Sequence, residues 1–153
     1  AQEGALRWML REDRDWMSSL PAHIVLDRWR LVHAGYNPHR GTEEQTEEDL
    51  LWIRGAFHRS IHPIDSKRSV VFGHTPTMAL YPRIEDRWGE VWFGDVELED
   101  GRSALVGMDT CVFHINNQPA VLSALDLQTL EVRRLNRCEP WTEDDRIRAR
   151  FMH

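Results

Sequence analysis

Leu31-Val32-His33-Ala34-Gly35-Tyr36-Asn37-Pro38 is the stretch that decides how this chain is read. An apolar run ends in a histidine, two small residues follow, and Pro38 closes a turn. The pattern predicts a buried strand that delivers one imidazole at its carboxyl end and then breaks. In open α/β sheets ligands bind at strand carboxyl ends, and neutral imidazole is the commonest side-chain metal ligand. The arrangement recurs at Ser69-Val70-Val71-Phe72-Gly73-His74-Thr75-Pro76, where a second apolar strand stops at a histidine beside a glycine. Two such histidines suggest one shared site. Taken singly, each is open to a plainer reading as a hydrogen-bonded turn residue, its glycine serving only the turn.

A length of 153 residues suits one domain with one core. A net charge of −6 argues against a general nucleic-acid surface. No apolar run approaches the roughly 18 residues needed to span a bilayer, so no membrane role is expected. The opening Ala1-Gln2-Glu3-Gly4 lacks the basic and apolar regions of a secretory signal. Because it also lacks methionine, the chain is expected to begin after processing or partway through a longer one. Cys111 and Cys138 lie far apart and make neither a disulfide framework nor a zinc-site spacing. Reduced thiols and a cytoplasmic location are the expectation.

Helical spacing of Leu6, Met9, Leu10, Trp16, Met17 and Leu20 predicts helix from about Gly4 to Leu20, interrupted by charge at Arg11–Asp15, where Asp13 or Asp15 would cap a second helix. Pro21 ends it. Strands His23–Leu26 and Trp29–His33 follow, joined by a turn at Asp27-Arg28. Thr46-Glu47-Glu48-Asp49 has the form of a capping box. It opens a helix expected over Glu47–Phe57, with Arg54 two turns inside it. Further strands are expected at Glu90–Leu98 and Ser103–Met108, and a hairpin at Ala120–Leu127 and Leu130–Leu135. The charged tail 137–153 reads as a peripheral helix, which leaves 1–136 as the body of the domain. Mixed α/β (α+β) content is the resulting fold class.

Four blocks in order resemble the metallophosphoesterase (calcineurin-like) superfamily, in its bacterial and phage branch of PPP-type serine/threonine phosphatases and diadenosine tetraphosphatases. They are Trp16-Met17-Ser18-Ser19-Leu20-Pro21, Val32-His33-Ala34-Gly35, Leu50-Leu51-Trp52-Ile53-Arg54 and Val71-Phe72-Gly73-His74-Thr75-Pro76, with Met108-Asp109-Thr110 as a weaker fifth. The resemblance implies the second half of a two-sheet sandwich flanked by helices. It implies a site of two divalent metals, manganese foremost and iron or zinc as alternatives, that activates water for attack on phosphorus. His33 and His74 match two metal ligands, Arg54 matches the arginine that grips phosphate, and Asp109 matches a carboxylate behind the ligands. Without the resemblance, Arg54 reads rather as an arginine reaching from a helix into solvent than as a phosphate ligand.

The family's early motifs, Asp-x-His, Gly-Asp-x-x-Asp-Arg-Gly and Gly-Asn-His-Glu, are not present. Cys111 follows Asp109-Thr110 where the family usually has glycine, which predicts an altered turn. The span from Pro76 to Asp109 is long and suggests an inserted hairpin around Ile84–Asp100. Asp27, Asp65 and His39 have no spacing that would place them beside His33. The expected substrates are phosphate monoesters, foremost phosphoprotein, with dinucleoside polyphosphates as the related alternative. A non-catalytic binding or regulatory module is the alternative of another class. Half a site is expected to bind metal weakly, and half a sandwich to leave a sheet face and edge uncovered, open to a missing amino-terminal half or to self-association.

Overall fold

A computed structural model describes residues 10–81, 87–113 and 120–136. The tail 137–153 and the first nine residues lie outside the described residues. Helix α1 spans Arg11–Ser18. The charges expected to interrupt a helix are instead inside it: Arg11 pairs with Asp15 one turn on at 3.7 Å, and Leu10 stands at the cap position without a side-chain hydrogen bond. Strands β1 (His23–Val25) and β2 (Trp29–Val32) form the expected antiparallel hairpin.

The capping box forms as expected. Thr46 accepts from the Asp49 amide, and the Asp49 carboxylate accepts from the Thr46 amide. The helix it opens does not run to Phe57. Helix α2 is Glu47–Trp52, and a separate short helix α3 is Gly55–His58. Extended backbone at Ile53 and a non-helical Arg54 part them, so Arg54 sits at the break and Gly55 begins the second helix.

Strand β3 (Ser69–Phe72) is followed by a single 3₁₀ turn at Thr77–Ala79. Strand β4 is short (Trp92–Phe93), and β5 spans Leu105–Gly107. An isolated bridge, Glu97 to Ser103, extends the β4–β5 pair toward its turn. The expected long strand over Glu90–Leu98 is thus only partly a strand, and it returns directly along β5. Strands β6 (Val121–Leu125) and β7 (Val132–Asn136) make the final hairpin, in register from Leu125↔Val132 to Val121↔Asn136.

The content is mixed α/β: a five-stranded sheet in the order β1-β2-β3-β5-β4 and a separate two-stranded sheet. At its centre β2, β3 and β5 run parallel, while the edge strands β1 and β4 are antiparallel to their neighbours. Alternation along the strands divides the apolar side chains between two faces. On one, Val70, Phe72 and Leu105 pack with Tyr36, and with Leu50 of α2 and Phe57 of α3. On the other, Trp29, Val91 and Val106 pack with Leu125, Leu127 and Val132 of the final hairpin. The sheet is the middle layer of three.

Buried arginines tie the strand beginnings together. Arg102 lies beside Trp29, its guanidinium 5.2 Å from the ring. It donates to the Arg28 carbonyl at 2.6 Å, the Lys67 carbonyl at 3.0 Å, Ser69 Oγ at 3.2 Å and the Asp100 carboxylate at 2.8 Å. Arg30, on β2, donates to Asp65 at 2.8 Å and to Thr42 and Glu43 at 3.1 Å each. Outside these layers, α1 has no buried residue. Trp16, Met17 and Leu20, and Ile24 and Val25 on the edge strand β1, are exposed. The expectation of an uncovered sheet face does not hold, since both faces are packed; the exposed apolar side chains lie on the edge strand and on α1. Among the described residues no helix is long and apolar enough to cross a membrane.

Replacing Arg102 tests the anchor. Arg102→Ala removes the side-chain donor from the Lys67 carbonyl and the Ser69 hydroxyl and leaves the Arg28 carbonyl only the Ser69 amide at 3.2 Å. A loss of roughly 3 kcal/mol in urea unfolding is expected, the range for breaking one partner out of a buried charged network. Arg28→Ala, at the exposed Asp100 pair, is expected to cost less than about 1 kcal/mol.

Candidate functional site

Parallel register places the candidate residues. Val32 pairs with Phe72, and Phe72 with Gly107, so all three central strands end at one level. His33 is the residue after β2, His74 is two residues after β3, and Asp109 is two residues after β5. The Gly73 amide donates to the His33 carbonyl at 2.9 Å, extending the ladder one step to the histidines. The rings meet above it, with His33 Nε2 lying 3.0 Å from His74 Nδ1. A hydrogen bond between two imidazoles needs one unprotonated nitrogen, so at least one ring directs a lone pair into the shared space.

His74 is held there under strain. Its φ is 61°, in the left-handed region that non-glycine residues seldom occupy. Burial lowers its pKa, and the positive charge of Arg54 and the neighbouring His33 lower it further, while Asp109 opposes them. Its Nε2 is buried without a partner. The edge of Trp52, the last residue of α2, stands against the ring at 5.6 Å and 90°.

Arg54 reaches the same place from the α2–α3 break. It donates to Thr75 Oγ1 at 2.9 Å and, more distantly, to the His74 carbonyl at 3.4 Å. The break explains its aim, since a guanidinium inside a continuous helix would follow that helix face. The block Leu50-Leu51-Trp52-Ile53-Arg54 is tied to the first histidine turn by the Ala34 amide, which donates to the Leu50 carbonyl at 2.8 Å. The structure therefore brings His33, His74 and Arg54 together.

Asp109 is behind them. Its carbonyl accepts from the Thr77 amide at 2.9 Å, and its carboxylate accepts from the Cys111 amide at 3.2 Å. Cys111 has φ 67°. The turn after Asp109 thus has the left-handed backbone that glycine adopts most easily, here occupied by a cysteine.

Two imidazole nitrogens each about 2.1 Å from one metal and at right angles would stand roughly 3 Å apart. The observed 3.0 Å separation fits a pair of ligands. It is only a pair: among the described residues no group of three or more His, Cys, Asp or Glu side chains is placed to hold a metal. Asp65 is committed elsewhere, its carboxylate taken by Arg30, Arg68 and the Lys67 amide.

Three neighbours of the site carried no sequence signal that singled them out. Thr75 anchors Arg54; its position inside Gly-His-Thr-Pro was the one hint. Trp52 walls His74. His58, on α3, stacks on Phe72 with centroids 5.2 Å apart. Burial, then the charges of Arg54 and Arg59, pull its pKa down to about 4, and its Nε2 is buried without a partner. Comparison with known proteins gives no match, whether to family models, curated proteins or solved structures.

The two glycines beside the histidines do different work, and substitution separates them. A Cβ on Gly35 would stand 2.3 Å from the ring of Phe57, whereas one on Gly73 would meet nothing nearer than the His33 carbonyl at 3.7 Å. Gly35→Ala is expected to destabilise by about 2 kcal/mol or more, since the buried ring must shift. Gly73→Ala is expected within about 1 kcal/mol of wild type by the same unfolding assay. His58 supplies a pH test. Its folded pKa of about 4 lies below the ordinary 6.5, so the unfolded chain takes up the proton first. Its contribution is complete above pH 6.5 and is lost as pH falls toward 4. The partly buried ring should make this worth roughly 1–2 kcal/mol. His58→Phe is expected to flatten the unfolding free energy across that window; an unchanged slope would place the acid sensitivity elsewhere.

Proposed function

We propose that this chain carries the later half of a metal-dependent phosphoesterase site, acting on phosphate monoesters and foremost on phosphoprotein. The observation that carries the reading is the meeting of His33 and His74 at 3.0 Å with Arg54 beside them, at the carboxyl ends of adjacent parallel strands. Divalent metal ions, manganese by preference, would be held in part by the two imidazoles and would supply activation of water and of phosphoryl oxygens. The described residues offer two ligands, so the remaining donors come from outside them.

The chain's own residues would divide the other work. Arg54, oriented by Thr75, presents a planar fork suited to two phosphate oxygens and to the charge that builds on them. Asp109 places negative charge near His74 and holds the turn that supports it. Trp52 shields one side of His74 from water. The left-handed backbone at Cys111 supports the resemblance at its fifth block, where the family usually has glycine. Hydrolysis of dinucleoside polyphosphates would use the same residues.

One observation favours a second reading. Two imidazoles without a carboxylate in their set bring no negative charge to offset a pair of dications. A non-catalytic binding or regulatory module would keep this geometry and need nothing more.

Hydrolysis of p-nitrophenyl phosphate with Mn²⁺, alongside Mn²⁺ binding by calorimetry, tests the proposal. Metal-dependent turnover is expected, lost to background in His33→Ala and in His74→Ala. Arg54→Ala is expected to lower it about a hundredfold while leaving metal binding in place, as for the loss of one oxyanion-stabilising group. Turnover that survives both histidine substitutions would sink the assignment. Metal bound through the histidines with no turnover would favour the binding module.

A further inference from the structure

We infer that the cleft beside α3, lined by His39, Arg40, Arg59 and His62, is an anion site for a chain of two or more phosphate groups. The cleft has a volume of about 420 Å³, within the range that receives small ligands. It lies between the loop that leaves the first histidine turn and the loop that leaves α3. The protein carries a net charge of −6, yet two arginines and two histidines line this cleft and no carboxylate does. Pro38, Ile61 and Pro63 complete the wall, so bound oxyanions would face cationic donors against an apolar backing.

Arg59 is the centre of the site. Its guanidinium has no hydrogen-bond or ion-pair partner among the described residues, while Arg40 is shared with Asp49 at 3.6 Å. It folds back over the first residue of α3, where a Cβ on Gly55 would meet it at 2.8 Å. Both Arg54 and Arg59 act electrostatically on the one imidazole of His58, so the two guanidiniums belong to one positive region. They point to different places: Arg54 is held at Thr75, and Arg59 lines the cleft. An unpaired, planar guanidinium suits bidentate contact with phosphate oxygens. With Arg40 and two imidazoles spread around it, the cleft has donors for more than a single phosphate. The inference does not rest on the phosphoesterase reading, because it requires binding and no turnover.

Calorimetric titration of the full chain with tripolyphosphate, and separately with orthophosphate, at low salt and without metal is the test. Tripolyphosphate is expected to bind and orthophosphate to bind at least tenfold more weakly. Arg59→Ala is expected to weaken tripolyphosphate roughly tenfold, the scale of one charge-assisted contact, and His62→Gln to weaken it less. Arg133→Ala, which removes a surface guanidinium from the closing hairpin on the opposite side of the sheet, is expected to leave it within about twofold. Arg59 is exposed, so its substitution leaves the fold intact, as circular dichroism should show. The inference is overturned if wild type does not bind tripolyphosphate, if Arg59→Ala binds as wild type does, or if Arg133→Ala weakens binding as much as Arg59→Ala.

Discussion

The parallel register of β2, β3 and β5 is the constraint on which the rest depends. Each parallel strand must be re-entered from the same end, so the chain crosses over between them and every crossover begins at the same sheet edge. That edge receives His33, His74 and Asp109 in turn, from stretches of sequence separated by roughly 35–40 residues each. A slip of one residue in either pairing would turn the strand's side chains to the opposite face and carry its histidine with them. Burial on both faces prevents the slip: Val70 and Phe72 are committed to the helical side, and Trp29 and Val106 to the hairpin side. The positions of the imidazoles are thus a consequence of core packing several residues away.

The two ends of the sheet are treated in opposite ways. At the strand beginnings, buried charge is engaged in several directions at once, with Arg30 Nη1 alone among its donors left without a partner. Arg102 joins the starts of β2 and β3 through two carbonyls and a hydroxyl, and Arg30 binds two loops through Asp65 and Glu43. Burial alone would lower the Arg30 pKa, but its hydrogen bonds outweigh that and raise it. At the strand ends the reverse holds. His74 is strained and keeps a nitrogen without a partner, as does His58 one layer below. Cooperative closure at one end supports unsatisfied chemistry at the other, the division expected where function departs from the rules of good packing.

Much of this was legible in the sequence because it is written in local pattern. The hairpin of β1 and β2, the capping box at Thr46, strand β3 and the closing hairpin follow from alternation, turn residues and caps within a few positions. What failed to show was set by distant partners. Arg30 reads as a polar interruption of an apolar strand, yet it is buried because Asp65 and Glu43 arrive from two loops. The apolar spacing of Leu50, Leu51, Ile53 and Phe57 fits one helix, and the break at Ile53-Arg54 comes from tertiary demands that periodicity does not carry. Asp13 and Asp15 read as caps because acids favour helix starts, but the helix already begins at Arg11. Of the candidate site, the two histidines and Arg54 were visible as motifs; Thr75, which aims Arg54, was visible only as a neighbour.

The histidine pair and an exposed apolar surface meet at one residue. A groove of about 610 Å³ is lined by Met17, Leu20, Ile24, Leu31 and His33, together with Glu47 and Leu51 of α2. The sheet edge formed by β1 is the neighbour of the strand that delivers His33. A surface of this kind is costly to leave in water, and an edge strand leaves a row of backbone donors and acceptors unpaired. The apolar residues of α1 and β1 and the imidazole of His33 thus share one groove, so whatever covers the edge strand also borders that ring.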